Sequence, residues 1–154
     1  MSLAPFVGTP PNVVEEMLEL SQLKQGEILY DLGCGDGRII ILAAQQFKAN
    51  AVGVELDEGR FKRCSDKIRE LGLENQVMVI HGDLMKIDLT SADVVTLYLL
   101  TSSNEKVKPN LELYLKRGAR VVSHDFEITG WKPIIVKEVK ETWGSHKIFV
   151  YKKG

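Results

Sequence analysis

The sequence has little of what disulfide-rich, metal-binding and membrane proteins require. Its 154 residues contain two cysteines, Cys34 and Cys64, and their separation matches no zinc motif. We therefore expect neither a disulfide nor a bound metal. The longest apolar run, around residues 94–100, is far shorter than the ~20 residues of a membrane-spanning helix. No basic and apolar leader is visible, so we expect a soluble, cytoplasmic protein without membrane contacts.

An excess of one charge is also missing. The chain has 20 Lys and Arg against 21 Asp and Glu, a net charge of -1, which does not favour a nucleic-acid partner. Repeats and low-complexity segments are absent as well. The length fits a single domain over residues 1–154, in which residues 1–26 form an N-terminal segment and helix. We expect a monomer.

What the sequence does contain is a glycine-rich turn directly after an apolar run. Residues 28–32 predict a strand, and a helical pattern begins at Arg38. Between them Gly33, Gly35 and Gly37 occupy every second position. Glycine adopts positive φ at low cost and lets a flat ligand approach the backbone. The free N–H groups of the following helix face the same point.

Two carboxylates at this turn distinguish between two kinds of nucleotide ligand. A dinucleotide-binding turn has the spacing G-x-G-x-x-G and places a pyrophosphate at the helix N-terminus. Here Asp31 precedes the glycines and Asp36 lies among them, and both would repel phosphates. They suit a ligand with sulfonium or ammonium charge and sugar hydroxyls. We infer that the cofactor is S-adenosyl-L-methionine.

Two further acids follow the next two predicted strands. Glu55 ends an apolar run about twenty residues after the turn, where an acid can accept both hydroxyls of a ribose. Asp83 ends the next run, where it can accept from an adenine amino group. The alternative is that both acids only cap helices. Acids after three consecutive strands favour a nucleoside site.

The order of the elements predicts the fold class. Thr9 is a good N-cap for a first helix ending near Gly26, and strand and helix patterns then alternate. The last strands are predicted at residues 92–100, 120–126, 134–142 and 146–152, and the final two form a hairpin. This order predicts a doubly wound α/β fold with a mainly parallel sheet, an antiparallel C-terminal hairpin and an extra N-terminal helix.

These motifs resemble the class I, seven-stranded S-adenosylmethionine-dependent methyltransferases, which have a Rossmann-like fold. Residues 31–37 are similar to their first motif, Glu55 to their second and Asp83 to their third. The chain further resembles small archaeal broad-specificity protein lysine methyltransferases and their mitochondrial relatives over nearly its whole length. The segments that carry this resemblance are residues 9–11, 36–40, 98–100 and 118–123, with Phe126 and Trp131.

The resemblance implies methyl transfer from S-adenosyl-L-methionine to lysine side chains of proteins, so the expected partners are proteins with exposed lysines. The implied cofactor contacts are Phe6, Gly8 and Thr9 above the ligand, Asp31, Gly33, Gly35 and Asp36 at its methionine end, Glu55 at the ribose and Asp83 with Leu84 at the adenine. The mitochondrial relatives have a membrane anchor without a counterpart here, which favours soluble substrates. The segment 126–133 is too short for the helix usual at that point of the class.

A lysine acceptor must lose a proton before it is methylated. Its reference pKa of ~10.4 means that the neutral form costs roughly 4.6 kcal/mol at pH 7. An apolar slot lowers that pKa, and aromatic walls hold the arriving ammonium. Tyr98 is the first candidate for such a wall, with Phe126 and Trp131 behind it. The alternative is that Tyr98 is a core residue.

Histidines offer a second kind of group near the strand ends. His124 and Asp125 could accept the lysine proton through water, although a solvated strand end is the favoured interpretation. His81 and His146 have no partner that the sequence identifies. The rival functions are methylation of a small molecule, methylation of a nucleic acid, and cofactor binding without catalysis. The second lacks an Asn-Pro-Pro-Tyr type motif for a flipped base.

Overall fold

A computed structural model describes residues 8–154 of the chain. The strands are β1 (Ile28–Leu32), β2 (Asn50–Glu55), β3 (Val77–His81), β4 (Val94–Leu97), β5 (Arg120–His124), β6 (Ile135–Glu141) and β7 (Gly144–Lys152). The helices are α1 (Pro11–Leu20), α2 (Arg38–Phe47), α3 (Glu58–Glu70) and α4 (Thr101–Tyr114), with a short 3-10 turn at Leu84–Lys86.

The strands form one sheet in the order β3-β2-β1-β4-β5-β7-β6. The first five run parallel, whereas β7 inserts antiparallel between β5 and β6. One core joins α1, α2 and α3 to the sheet, and a second joins α4 to it. The predicted doubly wound sheet, its antiparallel hairpin and its N-terminal helix are therefore confirmed.

The element ends differ from the sequence prediction at the edge where ligands bind. Strand β4 ends at Leu97 and β5 at His124, so the residues that follow them leave the sheet earlier than their apolar character suggests. Helix α1 has Pro10 rather than Thr9 as its N-cap and ends at Leu20, not near Gly26. The Thr9 hydroxyl contacts His124 instead, which explains why it does not cap the helix.

The connection between β5 and β6 contains no helix in residues 125–134, as the short segment predicted. The substrate side of the sheet is therefore not covered by a helix from this connection. Among residues 8–154, no helix has both the length and the apolar character that a bilayer crossing requires.

Gly53 of β2 packs directly against the glycine-rich turn. A Cβ at this position would lie 2.6 Å from Cys34 Sγ and 2.8 Å from Ile40 Cδ1. Overpacking of this kind lowers the free energy of unfolding by about 1–3 kcal/mol, and we expect that loss for Gly53→Ala in urea unfolding. At Gly82 the nearest atom to an added Cβ is 3.7 Å away, so Gly82→Ala is the control. Equal unfolding midpoints for the two variants would contradict this prediction.

Candidate active site

The glycine-rich turn connects the carboxyl end of β1 to α2. Gly33, Gly35 and Gly37 have φ of +85°, +58° and +84°, which explains why glycine occupies all three positions. An added Cβ on Gly37 would lie 2.6 Å from Cys64 Sγ, so α3 packs closely against the turn there. Gly33 is exposed, and a ligand can approach the backbone at this point.

Both cysteines are buried and free. A hydrogen bond with Cys64 and burial raise the pKa of the Cys34 thiol, which keeps that thiol protonated. Cys64 is fully buried between α3 and the turn. Cys64 is therefore a core residue.

Glu55 is the last residue of β2, and its side chain accepts a hydrogen bond from the glycine-rich turn. Its side chain is buried, with Oε1 accepting from the Gly35 N–H at 2.8 Å and Oε2 from the Asp57 N–H at 2.9 Å. A carboxylate has about four lone-pair sites, so each oxygen keeps one for a ligand hydroxyl. Arg60 Nε lies 3.6 Å from Oε2 and helps to compensate the buried charge.

Asp31 is a buried carboxyl group in β1, beside the turn. Its Oδ1 accepts from the Thr96 hydroxyl of β4 at 2.9 Å. Burial raises the pKa of Asp31 to about 7, and the nearby carboxylates of Glu55 and Asp36 act in the same direction. A cation arriving at this position would favour the charged form of Asp31.

Asp36 and Arg38 attach the N-terminal segment to the turn. The Arg38 side chain donates to both Asp36 oxygens, at 3.0 and 2.6 Å, and to the Thr9 carbonyl at 3.0 Å. This arginine lowers the pKa of Asp36. Gly8 lies so close that an added Cβ would be 2.3 Å from Arg38 Cζ. Gly8 and Thr9 thus lie against Arg38 at the turn, whereas Phe6 lies outside the described residues.

Asp83 follows β3 and caps the 3-10 turn. Its Oδ1 accepts from the Met85 N–H at 2.9 Å, which is the capping role raised as the alternative. The adenine contacts of Asp83 and Leu84 stay predictions. Leu56, directly after Glu55, is 58% exposed and offers apolar surface for a flat base. Leu56 is not among the predicted site residues, although its place directly after an acid that ends an apolar run was a usable signal.

Three aromatic rings meet where β4 and β5 end. The Tyr98 ring centroid lies 4.0 Å from that of His124 and 6.3 Å from that of Phe126. Tyr98 and Phe126 are half-buried, so they form a wall with one accessible side. Burial raises the pKa of Tyr98, which keeps its hydroxyl protonated.

Trp131 is not part of this wall. Its indole packs edge-on against Tyr151 with centroids 5.6 Å apart, and its Nε1–H donates to Glu112 of α4 at 2.8 Å. Tyr151 pairs with Val121, three residues before the end of β5. The prediction that Trp131 stands behind Tyr98 is wrong, because α4 and β7 hold the indole elsewhere.

A polar cluster lies beside Tyr98. His124 is fully buried, and burial lowers its pKa to about 4. Its Nε2 lies 2.8 Å from His146 Nδ1, which is also 3.1 Å from Asp125 Oδ2, and its Nδ1 is 3.0 Å from the Thr9 hydroxyl. The expectation of a solvated strand end is wrong, and His146, for which the sequence identifies no partner, lies beside His124 because β7 pairs with β5.

Comparisons with known proteins agree with this geometry. Residues 31–135 match the family model of the ANTKMT methyltransferase domain. The chain is 45% identical to a protein-lysine N-methyltransferase of Saccharolobus islandicus, over 97% of this chain and 94% of that protein. It is 33% identical to the adenine nucleotide translocase lysine N-methyltransferase of mouse, over 86% of this chain but only 57% of that protein.

Solved structures place the fold in the same group of enzymes. An RNA methyltransferase from Salinibacter ruber in complex with S-adenosyl-L-homocysteine has a TM-score of 0.90 at 40% identity, covering 95% of this chain and 93% of that one. TrmN from Thermus thermophilus has a TM-score of 0.78 at 17% identity, over 94% of this chain and 49% of that one. The second similarity shows the fold alone.

The residues present fit an adenosyl sulfonium ligand. A buried acid in β1 suits its positive charge, the carboxylate ending β2 suits its ribose hydroxyls, and the exposed Leu56 suits its base. The family model and the relatives span the elements that carry these groups. This chain therefore belongs to the ANTKMT methyltransferase domain family and is a methyltransferase that uses S-adenosyl-L-methionine.

Proposed function

We propose that this enzyme methylates the Nζ of lysine side chains in proteins, and that Tyr98 and Phe126 form the slot for the lysine. The slot is inferred from the half-buried rings of Tyr98 and Phe126, which lie at the ends of β4 and β5. The slot adjoins the turn, because Leu99 Cδ2 lies 3.6 Å from a Cβ built on Gly33. The relatives named as lysine methyltransferases support the acceptor.

S-adenosyl-L-methionine supplies an electrophilic methyl group on a sulfonium centre. In this proposal Glu55 accepts the ribose hydroxyls with the lone pairs that its two backbone contacts leave free. Asp31 balances the positive charge, and the exposed backbone at Gly33 leaves room for the methionine end. Gly8, Thr9 and Arg38 close the turn from above.

The remaining task of the chain is to align and desolvate the amine. The lysine arrives as an ammonium group, which the faces of Tyr98 and Phe126 attract by cation–π contact. Contact with these rings excludes water and lowers the lysine pKa, which supplies part of the roughly 4.6 kcal/mol for the neutral form. The ammonium group loses its proton to water at the accessible side of the wall, and the neutral Nζ then presents its lone pair in a fixed direction, which is the main requirement for a displacement at carbon.

RNA is a second candidate acceptor, because the similar Salinibacter enzyme is named as an RNA methyltransferase. Binding to RNA is dominated by contacts of basic side chains with phosphates. This chain has a net charge of -1, and the residues around its site include the carboxyl groups of Asp31, Glu55 and Asp125. Protein is therefore the favoured acceptor.

We expect that the wild-type enzyme transfers methyl groups to lysines of a soluble protein extract and not to total RNA, with products mapped by mass spectrometry. Tyr98→Leu should lower kcat/KM by about tenfold, which corresponds to the loss of one cation–π contact. Tyr114→Leu is the matched control, because Tyr114 is 50% exposed at the end of α4.

Each other outcome identifies a different error in the proposal. Methyl groups found in RNA alone would overturn the protein acceptor, and a metabolite that gains mass would indicate a small-molecule enzyme. Tight cofactor binding without any methylated product would favour a sensor. Equal rates for Tyr98→Leu and Tyr114→Leu would remove Tyr98 from the slot but leave the activity in place.

A further inference from the structure

Three atoms with lone pairs converge where β5 ends, and methyl transfer as derived above uses none of them. His124 Nε2 lies 2.8 Å from His146 Nδ1, which lies 3.1 Å from Asp125 Oδ2. The third separation, from His124 Nε2 to Asp125 Oδ2, is 3.4 Å. These distances bring two imidazole nitrogens and one carboxylate oxygen around a common point.

The three atoms compete for one proton. A hydrogen on His146 Nδ1 would have to serve both His124 Nε2 and Asp125 Oδ2, because each of these lies within 3.1 Å of it. The Thr9 hydroxyl, 3.0 Å from His124 Nδ1, can accept a hydrogen carried there. That tautomer leaves the Nε2 lone pair of His124 directed at the common point. A single positive ion there would satisfy all three groups.

The backbone holds Asp125 in the conformation that this arrangement needs. Its φ is +64°, in the left-handed region that residues other than glycine seldom adopt. Its N–H donates to the Lys147 carbonyl at 2.7 Å, and its Oδ1 accepts from the Lys147 N–H at 3.0 Å. These two contacts fix Asp125 to β7, and its Oδ2 is directed toward the two histidines. Backbone strain of this kind is concentrated at functional sites.

We propose that His124, Asp125 and His146 bind one divalent transition-metal ion of the zinc class. With metal–ligand distances of about 2.0–2.2 Å, neighbouring ligands of a tetrahedral site lie about 3.3–3.6 Å apart, so shifts of about half an ångström or less suffice. Two imidazoles and a carboxylate suit Zn²⁺, Co²⁺ and Fe²⁺, whereas Mg²⁺ and Ca²⁺ prefer oxygen ligands. Three protein ligands leave a position for water.

The position of this site indicates what the ion does. It joins the end of β5 to β7 next to the Tyr98 ring, which packs against the His124 ring with centroids 4.0 Å apart. Through the His124 Nδ1 contact it also restrains Thr9. The ion therefore stabilises the region around the lysine slot. A metal-binding histidine usually donates its second ring N–H to an oxygen acceptor, and the Thr9 hydroxyl can serve as that acceptor here.

The test measures metal binding by the full chain without a polyhistidine tag, after dialysis against a chelator. We expect one Zn²⁺ or Co²⁺ per chain by calorimetry, visible absorption of four- or five-coordinate Co²⁺, and a higher thermal midpoint with Zn²⁺. His146→Gln and Asp125→Asn should each weaken binding at least about tenfold. His81→Gln is the control, because His81 is an exposed histidine at the end of β3.

Circular dichroism checks that every variant is folded, and His124 is left unchanged because it is fully buried. Absence of saturable Zn²⁺ binding would overturn the proposal, as would equal affinity for Mg²⁺. Unchanged affinity in both His146→Gln and Asp125→Asn, or loss of binding in His81→Gln, would place the ion elsewhere. None of these readouts depends on methyl transfer, so they are independent of the acceptor proposed above.

Discussion

Replacing Glu55 by alanine should lower the affinity for S-adenosyl-L-methionine by at least about 100-fold and reduce methyl transfer with it. The variant removes the acceptor of the Gly35 and Asp57 N–H groups and, in our proposal, of two ribose hydroxyls. A hydrogen bond to a charged group contributes about 1.5–3 kcal/mol, so two lost ligand contacts correspond to at least about 3 kcal/mol. The glycine-rich turn also loses the hydrogen bond that holds Gly35, which lowers the affinity further.

Calorimetric titration with the cofactor measures this effect, and Glu58→Ala is the matched control. Glu58 is an exposed acid three residues further along, whose ion pair with Lys62 at 3.4 Å contributes little. Urea unfolding of the same variants separates a damaged site from a damaged fold. If Glu55→Ala bound the cofactor within a fewfold of the wild type, Glu55 would only support the turn and would not contact the ribose.

Local spacing was enough to predict the cofactor side of the site. Strand β1, Ile28–Leu32, and the start of α2 at Arg38 are those that the apolar run and the helical pattern predict. The turn between them could be predicted because glycine adopts positive φ at low cost, as Gly33, Gly35 and Gly37 do here. The Asp57 cap of α3 is an equally local feature, since its side chain accepts from the backbone N–H of Arg60, three residues away.

The substrate side depends on contacts that spacing does not encode. Thr9 and His124 are 115 residues apart, and His146 is 22 residues from His124. Only the antiparallel insertion of β7, which pairs His124 with Ile148, brings the two histidines together. Trp131 was misplaced for the same reason, because its partner Tyr151 also comes from β7. Oligomeric state and location in the cell stay predictions.

Cofactor affinity should rise with pH up to the pKa of Asp31, and Asp31→Asn should abolish that dependence. Burial raises this pKa to about 7, so the carboxyl group is largely neutral at pH 6. A cationic ligand favours the charged form, and its binding below pH 7 therefore releases a proton. Linkage predicts about tenfold higher affinity per pH unit below the pKa, and a plateau above it.

Titrations at pH 6 and pH 8, each in two buffers of different ionisation enthalpy, measure both the affinity and the released proton. Asp31→Asn keeps an oxygen acceptor for the Thr96 hydroxyl but cannot ionise. It therefore corrects for ionisation of the ligand: it should bind weakly, and any difference between its affinities at the two pH values comes from the ligand alone. A wild-type affinity that falls between pH 6 and pH 8 relative to Asp31→Asn would contradict the role of Asp31 as counter-ion.

The same ionisation predicts the opposite effect on the stability of the enzyme without cofactor. An aspartate in the unfolded chain has an ordinary pKa of 3.8, so between this value and about 7 the folded chain holds a proton on Asp31 that the unfolded chain has lost. This contribution to stability is complete below the lower value and disappears as pH rises through the upper one, up to about 4 kcal/mol in total. Urea unfolding should therefore find Asp31→Asn more stable than the wild type at pH 8 and similar to it near pH 4. If Asp31→Asn were less stable than the wild type at pH 8, other groups of the folded chain would already compensate the buried carboxylate. The positive charge of the cofactor would then add nothing to binding affinity by neutralising it.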